Sequence, residues 1–121
     1  MQIVDANIIL RYLLNDNESM FATAVQIIEN NNIFIPFEVA AEVVYVLEKV
    51  YEVPRDEISQ SLRNLIANPD ISLNDKDVFI HALQNYEEKK IDFVDTLLIA
   101  YNHIKKHKIH TFDKQLRKLL I

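Results

Sequence analysis

Asp5, Glu42, Asp92, Asp95 and Asp113 are the residues of this sequence best suited to chemistry. Each ends a predicted strand, opens a predicted helix or interrupts an apolar run. Hard divalent cations such as Mg²⁺ and Mn²⁺ take carboxylate oxygens as ligands and keep several waters. Carboxylates brought together raise one another's pKa unless a cation neutralises them. Two cations roughly 3.5–4 Å apart can activate a water and stabilise a leaving oxygen. Acids delivered from separate strand ends are therefore what a metal-dependent phosphodiesterase needs.

Each acid also has a plainer reading. Asp5 follows Gln2-Ile3-Val4 and precedes a helix, which suits an N-cap as well as a ligand. In an α/β fold that position lies in the crevice at the carboxyl end of a strand, where ligands bind. Asn7 is a turn or first-helix residue, or it tunes a ligand. Glu42 sits in the almost wholly apolar helix Val39-Ala40-Ala41-Glu42-Val43-Val44-Tyr45-Val46-Leu47. Burying it alone is costly, so it needs a partner, a proton or a metal; otherwise it lies on an exposed helix edge. Glu38, one turn earlier, reads as a solvated first-turn acid. Asp92 and Asp95 suit a cap and the third helical position, both favoured by the helix dipole. Asp113 repeats the strand-acid-helix pattern of Asp5. The combination carries more than any one acid.

Short strands separated by helices must position these acids. Residues 2–4 read as a short buried strand, and residues 33–35, 71–73 and 109–112 as three more. Between them the apolar spacing and turn signals predict helices over 8–14, 18–30, 37–51, 54–67, 75–89 and 92–106, with a short helix after Asp113. This alternation predicts an α/β fold: a short central parallel sheet flanked by helices in three layers. A chain of 121 residues without linker, repeat or low-complexity tract is expected to form a single domain over 1–121.

Composition removes whole classes of activity. There is no cysteine, so disulfides and thiolate metal sites are excluded, and a cytoplasmic setting is expected. There is no glycine, so a Walker loop, a dinucleotide fingerprint or a nucleophile elbow cannot form. The four serines stand in contexts that do not suggest a nucleophile. No leader peptide or membrane span is expected, because no apolar run approaches the roughly 18–20 residues a bilayer requires. Charge is divided unevenly. Residues 1–102 carry seven Lys/Arg against seventeen Asp/Glu, whereas residues 103–121 carry six against Asp113 alone. An acidic pocket rimmed by a basic edge accounts for this, and so does a basic, solvated last helix.

In their order the acids resemble a known family. Ile3-Val4-Asp5-Ala6-Asn7-Ile8-Ile9-Leu10 is similar to the first motif of PIN-domain ribonucleases. Glu42 before Val43-Val44-Tyr45-Val46-Leu47 resembles the second, Asp92-Phe93-Val94-Asp95-Thr96-Leu97-Leu98-Ile99-Ala100 the third, and Thr111-Phe112-Asp113 the fourth. Spacing and length resemble the small toxins of VapC-type toxin–antitoxin pairs. The resemblance implies a metal-dependent endoribonuclease that hydrolyses RNA without a covalent enzyme intermediate. It implies that Asp5, Glu42, Asp95 and Asp113 hold Mg²⁺ or Mn²⁺, with Asn7, Asp92 and Thr111 in support. An antitoxin and a second copy of the chain are the expected protein partners. Such proteins usually carry a glycine near the last strand, where this chain has Lys106-His107-Lys108; that departure concerns loop shape rather than the acids.

Other residues have rival readings. Lys106, Lys108, Lys114 and Arg117 are candidates for RNA phosphates, or ordinary surface cations. Tyr12, Tyr45 and Tyr101 could stack bases, though core packing explains them more simply. His103, His107 and His110 could form a zinc set, but a helix end followed by a strand does not bring all three together. His81 reads as a helix-surface residue. The alternative to a nuclease is a non-catalytic PIN-like module that binds RNA or protein. A receiver-like phosphoacceptor using Asp5 is disfavoured, because it needs a paired acid and a positioned lysine.

Overall fold

The computed structural model describes residues 1–121, which form two compact units, 1–74 and 75–121. In the first unit β1 (Gln2–Ile3), β2 (Ile33–Ile35) and β3 (Ile71–Leu73) form a parallel sheet in the order β1-β2-β3. Gln2 pairs with Ile33, and Ile33 with Ile71. Parallel neighbours need long crossovers. They are supplied by α1 (Ala6–Leu14) with α2 (Glu18–Glu29), and by α3 (Phe37–Lys49) with α4 (Arg55–Ile66). The α/β class and the parallel sheet expected from the sequence are both found.

Local chemistry sets the boundaries. Asp5 and Asn17 cap α1 and α2, accepting from the Ile8 and Met20 amides. Asn15 ends α1 in the left-handed region at φ 50°, a conformation asparagine tolerates better than most residues. Pro36 and Pro54 stand immediately before α3 and α4 without any side-chain cap bond. The Phe37 amide instead donates to Asn74 Oδ1 at 2.8 Å. Ile9, Ala24, Ile28, Ile33, Ile35, Val43, Val44, Ile58 and Ile71 are buried in this unit.

The second unit contains α5 (Lys76–Glu88), α6 (Phe93–Lys105) and the short α7 (Lys114–Lys118). Phe93 presents its ring edge-on to Phe79 and Tyr86, with centroids 5.6 and 5.7 Å away, an arrangement favoured by the aromatic quadrupole. Asp75 caps α5 through the Val78 amide and pairs with Lys105 at 3.0 Å.

Three expectations about elements fail. The first strand is a sheet edge and is not buried: Ile3 is 65% exposed, and burial begins at Val4. Residues 109–112 form no strand. Backbone groups within and beside them are bonded by side chains: Asn102 Nδ2 donates to the His107 carbonyl, Arg117 to the Thr111 carbonyl, and the Asp113 amide to Thr111 Oγ1. Tyr45 is 63% exposed rather than in the core.

Candidate functional site

The candidate acids fall into two clefts, one in each unit. In the first unit Asp5, Asn7 and Glu42 line an open cleft of about 240 Å³ with Ala6, Leu10 and Val46. Asp5 is exposed at the start of α1, and its Oδ1 accepts from the Ile8 amide at 3.1 Å. The cap reading is thus correct for one oxygen. Asn7 is exposed one residue into the helix.

Of the two readings of Glu42, the exposed helix edge holds and burial does not. Helix α3 buries Phe37, Ala40, Val43, Val44 and Leu47. That spacing defines one face and turns Glu38 and Glu42 away from it. The apolar residues around Glu42 in sequence concealed this, because several of them, Tyr45 and Val50 among them, are exposed too.

In the second unit Asp92, Asp95 and Asp113 line a cleft of about 190 Å³ with Lys90, Ile91, Gln115 and Leu116. Asp92 occupies the N-cap position of α6, but its side chain makes no cap bond. The capping reading of Asp92 therefore fails, and its carboxylate faces the cleft uncommitted. Asp95, half-buried in the first turn, has its pKa raised above its ordinary value. Burial is the main cause, followed by the negative charges of Asp92 and Asp113. Asp113 caps α7: its Oδ1 accepts from the Gln115 and Leu116 amides at 2.9 and 3.1 Å. Thr111 Oγ1 accepts from the Asp113 amide at 3.0 Å and fixes the turn.

Three carboxylates facing one cleft, one of them reluctant to ionise, suit a hard cation in ligand type and in charge. As the side chains stand, no group of three or more His, Cys, Asp or Glu is placed to hold an ion. The donor set fits a divalent metal in ligand type and in charge.

The remaining candidates are placed as follows. Lys106, Lys108 and Lys114 are exposed. Arg117 donates to the Thr111 carbonyl at 2.8 Å, so part of its guanidinium holds the turn before Asp113. The three histidines of the supposed zinc set have separate surroundings. His103 Nε2 meets the Leu119 carbonyl at 2.8 Å, the His107 ring lies 6.1 Å from Tyr101, and His110 is exposed. His81 is not a plain surface residue. Its Nε2 is buried without a hydrogen-bond partner, and its ring stands edge-on to His103 with centroids 5.4 Å apart. Lys90 and Gln115 were missed as cleft residues. Lys90 precedes Asp92, and Gln115 follows Asp113, by two positions, which is the signal the sequence offered.

No helix is long and apolar enough to cross a membrane. Neither a curated protein nor a solved structure matches the chain. The family model for the PIN domain matches residues 3–119, across both units.

Proposed function

This chain belongs to the PIN-domain family, and from that premise we propose that it is a metal-dependent endoribonuclease, the toxin of a VapC-type toxin–antitoxin pair. Domains of this family are generally nucleases and typically use divalent metal ions. The observation that carries the reading is the cleft of Asp92, Asp95 and Asp113 with its raised Asp95 pKa. A cluster of carboxylates whose charges oppose one another gains most from a cation.

The proposed metal-holding residues are Asp95 and Asp113 in the second unit and Asp5 and Glu42 in the first. The ion proposed is Mg²⁺ or Mn²⁺. When bound, it would supply charge to polarise the phosphodiester and stabilise its leaving oxygen. The chain's own groups do the positioning. Thr111 and the α7 amides hold Asp113, Asp92 adds negative charge beside Asp95, and the Ile8 amide fixes one oxygen of Asp5. Asn7 is proposed to contact substrate or orient a ligand. Lys106, Lys108 and Lys114, with the free part of Arg117, would hold RNA phosphates. The proposed setting is the cytoplasm, with an antitoxin and a second copy as partners.

The test is cleavage of an end-labelled structured RNA pool with Mn²⁺, with Mg²⁺ and with excess chelator. Asp5→Asn is the control for contamination, and asparagine caps helices as well as aspartate, so α1 keeps its start. Metal-dependent cutting that the variant loses is the expected result; cutting that the variant retains overturns the assignment of Asp5. A second reading, a PIN-like module that binds without cutting, is favoured by one fact: no three side chains stand placed for an ion. Absence of cutting together with absence of Mn²⁺ binding would establish that module instead.

A further inference from the structure

Phe112 is 99% exposed. Isolated exposed apolar residues are common and call for no explanation alone. Phe112 differs in how it is held and in what surrounds it. The backbone on both sides is pinned: the Asp113 amide bonds Thr111 Oγ1, Arg117 bonds the Thr111 carbonyl, and Asp113 caps α7. The ring is therefore presented by a fixed turn. It directly precedes Asp113, which lines the acidic cleft.

Apart from Asp113, the charges near Phe112 in sequence are positive. Lys108 precedes Phe112 by four residues, and Lys114 and Lys118 follow it. All three lysines are exposed and outside every ion pair. Lys114 and Lys118 are four apart in α7 and share a face. A protein interface would surround such an anchor with further apolar residues and few charges. A lone aromatic among free lysines matches single-stranded nucleic acid instead, whose bases stack on rings while cations follow the phosphates.

We propose that Phe112 is a stacking platform for an unpaired base of an RNA strand, with Lys108, Lys114 and Lys118 taking the neighbouring phosphates. The proposal deepens the nuclease reading and rests on it for the identity of the strand. It adds a preference for unpaired RNA beside Asp113. Because any base offers a π-face, Phe112 contributes affinity and local strand geometry rather than sequence choice.

The chain contains no tryptophan, so Phe112→Trp introduces a sole indole reporter. A short single-stranded RNA oligonucleotide is added in excess chelator, so that nothing is cut, and binding is followed separately by anisotropy of a label on the RNA. The expected result is quenching of the indole as RNA binds. Phe112→Ala should weaken binding about tenfold and Phe112→Tyr restore it, in line with base-on-ring stacking. Binding without quenching, and with Phe112→Ala unchanged, overturns the proposal and leaves the nuclease reading standing. No RNA binding overturns it as well. A blue shift that grows with protein concentration and needs no RNA also overturns it, and assigns the ring to a second copy. Quenching in a protein that fails the cleavage assay retains the stacking site and removes the nuclease.

Discussion

Asn102 and Ile121 form a closed hydrogen-bonded pair: the Ile121 amide donates to Asn102 Oδ1 at 2.7 Å, and Asn102 Nδ2 donates to the Ile121 main-chain oxygen at 3.1 Å. Nδ2 also donates to the His107 carbonyl at 2.9 Å. Asn102 is only 4% exposed, yet its side-chain oxygen and nitrogen are both satisfied. One buried amide thus ties down both ends of the segment that carries Thr111, Phe112 and Asp113. Asn102→Ala should cost about 2 kcal/mol, since three part-buried hydrogen bonds to the His107 and Ile121 main chain are lost, and lower Tm by roughly 8 °C. Asn102→Asp should be at least as damaging, because a carboxylate cannot donate to the two main-chain oxygens. Thermal melts of both variants check this.

Lys106 ends α6 at φ 60° in the left-handed region, where a Cβ is unfavourable. Lys106→Gly should stabilise the protein by about 0.5–1 kcal/mol, after allowing for the greater freedom of glycine in the unfolded chain. Asn15, at φ 50°, should gain less from the same change. Urea titrations should show a higher midpoint for Lys106→Gly with an unchanged slope.

Asp95 should trade stability against activity. Its folded pKa lies above the ordinary value, so keeping it ionised opposes folding, and that opposition grows as pH rises through the folded pKa. Asp95→Asn should therefore melt higher than the parent at pH 7 in chelator, while losing metal-dependent cutting. The difference in Tm should vanish as pH falls below the unfolded carboxylate value of 3.8. A variant that melts lower at pH 7 would show that Asp95 makes a stabilising contact instead.

His81 predicts a pH dependence of the opposite sense. Burial first, then His103 and Lys89, holds its pKa below 6.5, so the folded protein keeps it neutral. Its stability contribution is intact above 6.5 and is lost as pH falls from there through the depressed folded value, while the unfolded chain takes up the proton. His81→Leu should flatten the stability profile across that acidic window. An unchanged profile would assign the acid sensitivity to other groups.

Much of the fold was legible because its signals are local. Ile33–Ile35 is an apolar triplet between Asn32 and Pro36, Ile71–Leu73 alternates apolar and polar between Asp70 and Asn74, and the structure has both as read. Asp5, Asp75 and Asp113 announce helices they do cap. Asp5 and Asp113 could be named as site candidates from the same local pattern. What failed depended on distant partners. A strand over 109–112 requires a ladder, and side chains as far away in sequence as Asn102 bond the backbone beside it instead. Which side of α3 is buried is decided by packing, so Glu42 surrounded by valines looked internal. Residue type alone made Tyr45 a core residue, and exposure overrules it.

The caps have a further consequence. Asp5 and Asp113 each bind amides of their own helix through Oδ1. A free carboxylate samples several rotamers and loses that freedom when a ligand arrives. These two are already held by the chain through Oδ1. An ion or donor reaching them meets acids that have little left to order, so attraction at these two positions is governed by charge and reach.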